Sequence, residues 1–248
     1  MMADFPQPWH GLVEVNYDSG RPRETYKSLL VYHHGPNAGH MPQFPTAEGL
    51  VNGALIGLLA MQYVFRAERH FSNAEHWHGK AYSETFVPGA FERLKEELEL
   101  SVYCMRKAID HLIQGACLKF EFTTIISSGN LPIDSLGKLI WCKDNAPERH
   151  PQVIEAFFGV LKTPTDPTNF LPTLNIISNS YKHGFFLPEA QAYGSPNAPN
   201  IVLFDKEKND LRRPPIVHNH DACHLVMGFQ DTINRLLGEF GSRPMVTN

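Results

Sequence analysis

The chain is poor in the features that usually announce a function. Charged residues make up only 19% of it, and the balance is −4, so no basic bias marks a nucleic-acid or anionic-membrane surface. A local basic patch is compatible with that total. Cysteine is scarce: Cys104, Cys117, Cys142 and Cys223 are widely spaced and form no C-x-x-C pair, which reads as buried thiols in a reducing compartment. Gly-x-Ser-x-Gly, Gly-x-Gly-x-x-Gly and a P-loop are all missing, which argues against a serine hydrolase or a P-loop NTPase. Met1 to His10 carries neither a cationic n-region nor an apolar h-region, so a cytoplasmic location is expected. No repeat, low-complexity tract or interdomain linker interrupts the sequence.

The longest apolar run, Gly49 to Phe65, tests the membrane question. A span needs about 20 apolar residues, and Glu48 and Arg66 bound a shorter stretch. Gly49, Gly53 and Gly57 recur every four residues. They predict a core helix of a water-soluble bundle that a neighbour approaches closely, with no membrane partner.

The organisation follows from periodicity and punctuation. Residues 1–45, rich in Pro, Gly and His, read as an ordered N-terminal arm, and residues 46–248 as a mainly helical domain. A first helix is expected over 46–71 with Thr46 as N-cap, then a loop from Ser72 to Pro88. A long helix follows over about 89–118, with Phe91, Leu94, Leu98, Val102, Met105, Ile109, Leu112 and Ala116 at helical spacing. Phe120 to Ile126 reads as a short extended piece. Helices are expected from Asp134 or Ser135 to Trp141, over His150 to Leu161, and over Thr168 to His183. Asn200 to Asp205 and Pro215 to His218 predict a hairpin across a charged turn, before a last helix over Asp221 to Phe240. The expected fold is all-α: a single bundle of five to six helices with a small C-terminal β-hairpin.

Against this sparse background, Asn175 to Gly184 (NIISNSYKHG) stands out. Asn175, Asn179 and Lys182/His183 fall at i, i+4 and i+7/i+8, so they share one helix face opposite Phe170, Leu174, Ile177 and Tyr181. His183 lies in the last turn, where the helix dipole favours its proton, and Gly184 suits the position just past the end. Such a histidine beside a lysine can act as a general acid/base or as a phosphate contact. The same residues also suit a plain helix terminus, in which Asn179 bonds a loop.

This stretch, followed by the hairpin and a last amphipathic helix, resembles the HEPN superfamily of helical bundles. The family motif is Arg, a polar residue, three further residues and His. Asn179 falls on the polar position and His183 on the histidine, while Ser178 stands where the family has Arg. The resemblance spans residues 90–240 in architecture and about six residues in motif. It implies a metal-independent ribonuclease or an RNA- or nucleotide-binding protein of toxin–antitoxin or phage-defence systems. It also implies a homodimer, no cofactor, His183, Asn179 and Lys182 as the site, and an Arg contact to the scissile phosphate that is missing here. The alternative is a non-catalytic interaction module on a degenerate bundle.

A second constellation is His218-Asn-His220-Asp221-Ala-Cys223-His224. His218 and His220 would point the same way from a strand, and His220 and His224 would share a helix face. Three imidazoles at this spacing can bind Zn²⁺ with an open fourth position, completed by Asp221 or by His33, His34, His40, His76 or His78. The competing reading takes Asp221 or Asn219 as an N-cap. Trp77 is either a stacking platform or a buried anchor, and Asp110 and His111, being adjacent, do not form a dyad.

Overall fold

The computed structural model describes residues 13–31, 40–85, 87–159, 170–182, 197–204 and 216–242. Two long antiparallel helices form its spine: α1 (Gly53–Ala81) and α2 (Ala90–Phe120). Around them pack α3 (Phe122–Ser128), α4 (Leu136–Asn145), α5 (Pro151–Phe158), α6 (Phe170–Lys182) and α7 (Ala222–Glu239). A small sheet of β1 (Val13–Val15), β2 (Asn200–Phe204) and β3 (Ile216–Asp221) completes the described architecture.

The mainly helical expectation holds, but seven helices are described where five to six were expected, and the fold is not all-α. β2 and β3 pair antiparallel, with Asn200 opposite Asp221 and Phe204 opposite Val217. β1, contributed by the arm, then adds to the other side of β3 in parallel register, Val13 opposite Ile216 and Val15 opposite His218. A two-stranded hairpin would leave the outer backbone groups of β3 without partners; the arm supplies them.

α2 follows its apolar stripe closely. Leu94, Leu98, Val102, Met105, Ile109, Leu112 and Ala116 are all buried, each large side chain contributing roughly 1.5–3 kcal/mol. Phe91, the second residue of the helix, remains exposed. Gly89 opens the helix at φ 76°, a conformation that costs a glycine little.

α1 is displaced from its expected span. Asn52, not Thr46, is the N-cap, accepting from the Leu55 N–H at 3.0 Å, while Thr46 accepts from the Gly53 N–H at 3.1 Å across the turn at Gly49. The arm explains the shift. Its segment 42–45 runs so close to the helix that a methyl on Gly53 would strike the carbonyl oxygens of Phe44 and Pro45, and one on Gly57 that of Pro42. The glycines do admit a close neighbour, but the neighbour is this strand of chain rather than a helix. At the other end α1 runs ten residues beyond Phe71, because Phe71, Ala74 and His78 continue the buried stripe. The expected loop is therefore helical up to Ala81, and Trp77 packs partly buried against the core.

The piece expected to be extended, 120–126, is instead helical. The β-branched run at Thr123–Ile126 favours a strand, but the Glu121 N–H reaches the Cys117 carbonyl at 2.8 Å and Ile125 docks fully buried. α4 begins after Ser135, as expected, and ends later than Trp141. α7 matches its expected limits, with Asp221 as N-cap accepting from the Cys223 N–H at 2.7 Å. The turn between β2 and β3, and residues 160–169 and 183–196, lie outside the described residues.

All four cysteines are unpaired and buried. Burial pushes the Cys117 thiol up to about 12 and the Cys223 thiol to about 11, so both stay protonated and inert. Among the described residues no helix is long and apolar enough to cross a membrane.

Candidate functional site

The polar stripe of α6 lies along α2. Asn175 Oδ1 accepts from Arg106 Nη1 at 2.6 Å, and Arg106 Nε donates to Asp110 Oδ1 at 3.0 Å. Asp110 Oδ1 also accepts the Leu136 N–H at 2.8 Å, which caps the start of α4. One buried knot thus pins α2, α4 and α6. Arg106 is only 6% exposed, so a guanidinium here is sustainable because a carboxylate and an amide oxygen receive it.

Further along, the charge of Glu99 acts on Tyr181, whose hydroxyl burial already holds well above the usual tyrosine range. Asn175 bonds Arg106 while Tyr181 lies within reach of the charge of Glu99, an order in which α6 runs antiparallel to α2. Its C-terminal end therefore meets the N-terminal half of α2.

The expected site residues separate accordingly. Asn179 is half-buried and makes no hydrogen bond to a described residue. Lys182 closes α6, and His183 lies outside the described residues, as does Gly184. Ser178 is buried, so the position where the family motif has Arg faces the protein interior. Asp110 and His111 do part company: Asp110 takes Arg106, while the His111 ring stacks on Tyr63 at 5.6 Å and 22°.

The histidine cluster has a different geometry from the expected trio. His218 and His220 do share the buried face of β3. The Tyr17 N–H donates to His220 Nδ1 at 2.9 Å, which leaves the ring proton on Nε2. That proton is donated to His218 Nδ1 at 3.1 Å. Burial, with the neighbouring His218, lowers the His220 pKa to about 3 and keeps the ring neutral. His224, one turn into α7, faces the arm instead. Its Nδ1 lies 3.0 Å from Ser19 Oγ and 3.3 Å from an Asp18 carboxylate oxygen. Asp221 is occupied by its capping bond and by Arg23 at 3.0 Å.

This arrangement is a hydrogen-bonded relay that clamps the arm onto the sheet. A metal at His220 would have to displace either the Tyr17 N–H or the His218 contact. Among the described residues, no three His, Cys, Asp or Glu side chains are placed to hold a metal ion. Of the other histidines proposed for the shell, His78 packs against the Tyr82 ring at 4.7 Å, His76 meets Trp77 edge-on at 5.5 Å, and His33 and His34 lie outside the described residues.

Two polar features escaped the sequence reading. Arg106 was one. The other is Glu68, fully buried in α1, which accepts from the Tyr26 hydroxyl at 2.6 Å and from Gln230 Nε2. Burial raises the Glu68 pKa while these donors oppose the shift. Its signal was legible: a glutamate four residues after Val64 and three before Phe71, within an apolar stripe. An open cleft of about 650 Å³, lined by Glu75, His76, Lys80 and Thr85 among others, lies at the far end of α1 and includes no residue of α6.

No family model, curated protein or solved structure matches this chain.

Proposed function

We propose that the chain is a HEPN-like helical protein that engages RNA or a nucleotide at the C-terminal end of α6, acting in the cytoplasm as a homodimer. His183 serves as the acid/base, Lys182 contacts a phosphate and Asn179 orients the bound group. The observation that carries this reading is the contrast between the two asparagines. Asn175 is consumed by Arg106, whereas Asn179, one turn further toward Lys182, has no partner among the described residues. An amide with no protein partner among the described residues is available to a bound group.

The chemistry needs no metal. A neutral imidazole takes the proton of a ribose 2′-hydroxyl, the 2′-oxygen attacks the adjacent phosphorus, and the bond from phosphorus to the 5′-oxygen breaks. The leaving 5′-oxygen then receives a proton from an imidazolium. His183→Ala is expected to abolish cleavage of single-stranded RNA while leaving the helical circular dichroism intact. Unchanged cleavage by that variant would refute the reading.

One observation favours a second reading, a non-catalytic interaction module. The Arg106 guanidinium is held by Asp110 and Asn175 and so is not presented to a phosphate. This reading predicts no turnover of RNA by the wild-type chain.

A further inference from the structure

The outer seam between α1 and α2 carries an aromatic cluster ringed by cations. Tyr63 meets Tyr103 edge-on at 6.3 Å and 78°, and also stacks on His111 at 5.6 Å. Tyr103 is 48% exposed although it is one of the largest side chains of α2. The Arg66 guanidinium lies 5.4 Å from the Tyr63 ring centre, and the Lys107 ammonium 5.8 Å from that of Tyr103. Arg69, exposed one turn from Arg66, joins them: both guanidinium groups act on the Cys104 thiol beside Tyr103.

The charge balance of this seam is opposite to that of the chain. Four acids flanking it are already paired: Glu97 with His70 at 2.7 Å, Glu96 with Arg93 at 3.0 Å, Glu99 with Lys95 at 3.7 Å and Asp110 with Arg106 at 3.0 Å. Arg66, Arg69 and Lys107 make no ion pair with a described residue. A chain of net charge −4 thus gathers, among the described residues, three cations without an ion pair around the exposed Tyr103 ring and the partly buried Tyr63 ring. Burial keeps the His111 imidazole below the usual histidine range, so this ring adds an aromatic surface rather than another charge.

We infer that this seam is a contact surface for single-stranded RNA, with bases stacking on Tyr103 and Tyr63 and phosphates taken by Arg66, Arg69 and Lys107. Aromatic faces exposed beside cations are the elements that hold an unpaired strand. A duplex, whose bases are already stacked, does not use them. The cations resting over the two tyrosine rings are on long, flexible stems, so swinging to a phosphate uncovers the ring for a base. The choice of RNA over DNA rests on the function proposed above; the stacking and the charge do not.

Fluorescence anisotropy with a labelled oligouridylate of about twelve nucleotides tests the inference, with a duplex of the same length as reference. Wild-type protein is expected to prefer the single strand. Tyr103→Ala is expected to weaken binding roughly five- to a hundredfold, and Tyr103→Phe to restore it. Arg66→Gln with Lys107→Gln is expected to reduce the slope of log affinity against log salt by about 1.4. Thermal melts confirm that these surface variants fold.

Cleavage, measured in parallel with the His183→Ala variant, separates the two ideas. Wild-type-like binding by the seam variants overturns the inference, even if cleavage depends on His183. Lost binding by those variants upholds it, even if the wild-type chain cleaves nothing. Failure of the wild-type chain to bind the single strand also overturns it. So does a change from dimer to monomer in sedimentation on Tyr103→Ala with RNA affinity unaltered, because the face would then be a contact between copies.

Discussion

Acidification should unlock the clamp between the arm and the sheet, and His220 supplies the size of the effect. Its imidazole is fully buried, accepts the Tyr17 N–H and has a pKa lowered from 6.5 to about 3. In the unfolded chain the same ring takes up a proton below about pH 6.5. Between those two values the unfolded state binds the extra proton and the folded state does not, so stability is full above about pH 6.5 and falls as pH drops toward 3. Each unit in that window costs about 1.4 kcal/mol. Lowering the pH from about 7.5 to about 5 crosses roughly 1.5 units of it and should remove about 2 kcal/mol through this one side chain. Urea unfolding of the wild type and of His220→Gln at both pH values isolates the contribution. Glutamine keeps a hydrogen-bonding end but does not titrate, and any constant cost of the substitution cancels in the difference. The wild type should lose about 2 kcal/mol more than the variant on acidification. An equal loss in both would show that His220 is not held neutral by the fold, and the relay geometry would be refuted with it.

Five further substitutions have outcomes set by the packing and can be read by chemical denaturation. Gly57→Ala should cost about 1–3 kcal/mol because its methyl meets the Pro42 carbonyl. Gly79→Ala, where a methyl meets nothing within 4 Å, should instead gain about 0.5–1 kcal/mol from helix propensity. Asn175→Ala should cost about 1–3 kcal/mol by removing an acceptor from buried Arg106, whereas Asn179→Ala should change stability by less than about 0.5 kcal/mol. Tyr26→Phe, which strips a donor from the buried Glu68 carboxyl, should cost about 1.5–3 kcal/mol.

What the sequence revealed and what it concealed divide along a physical line. The stripe of α2 is readable because its periodicity is local and nearly unbroken; only Phe91 departs from it, meeting Tyr82 at the end of α1 while staying exposed. The limits of α1 are not legible locally, because its glycines answer to the arm segment 42–45 and the buried stripe continues through a histidine, His78. The helix at 122–128 defied its own β-branched composition through tertiary docking of Ile125. On α6, spacing alone revealed that Asn175 and Asn179 share a face. It could not reveal that Arg106, 69 residues earlier, claims the first of them. The three histidines near β3 are close in sequence, but the strand turns His218 and His220 toward each other and His220 toward Tyr17, while the helix aims His224 at Ser19.

The parallel pairing of β1 with β3 also constrains how the molecule is made. Tyr17 and His220, which join the arm to the sheet, are 203 residues apart. A ribosome adding roughly 5–20 residues per second needs about 10–40 seconds to bring them into the same compartment. Throughout that interval Val13–Val15 waits as an unpaired strand while α1 and α2, adjacent in the chain, can already close on each other. The β1–β3 pair can therefore close only late in synthesis, when α1 and α2 have long been available to each other. Any treatment that stalls translation before β3 emerges should leave the N-terminal segment open to protease while the spine is already resistant.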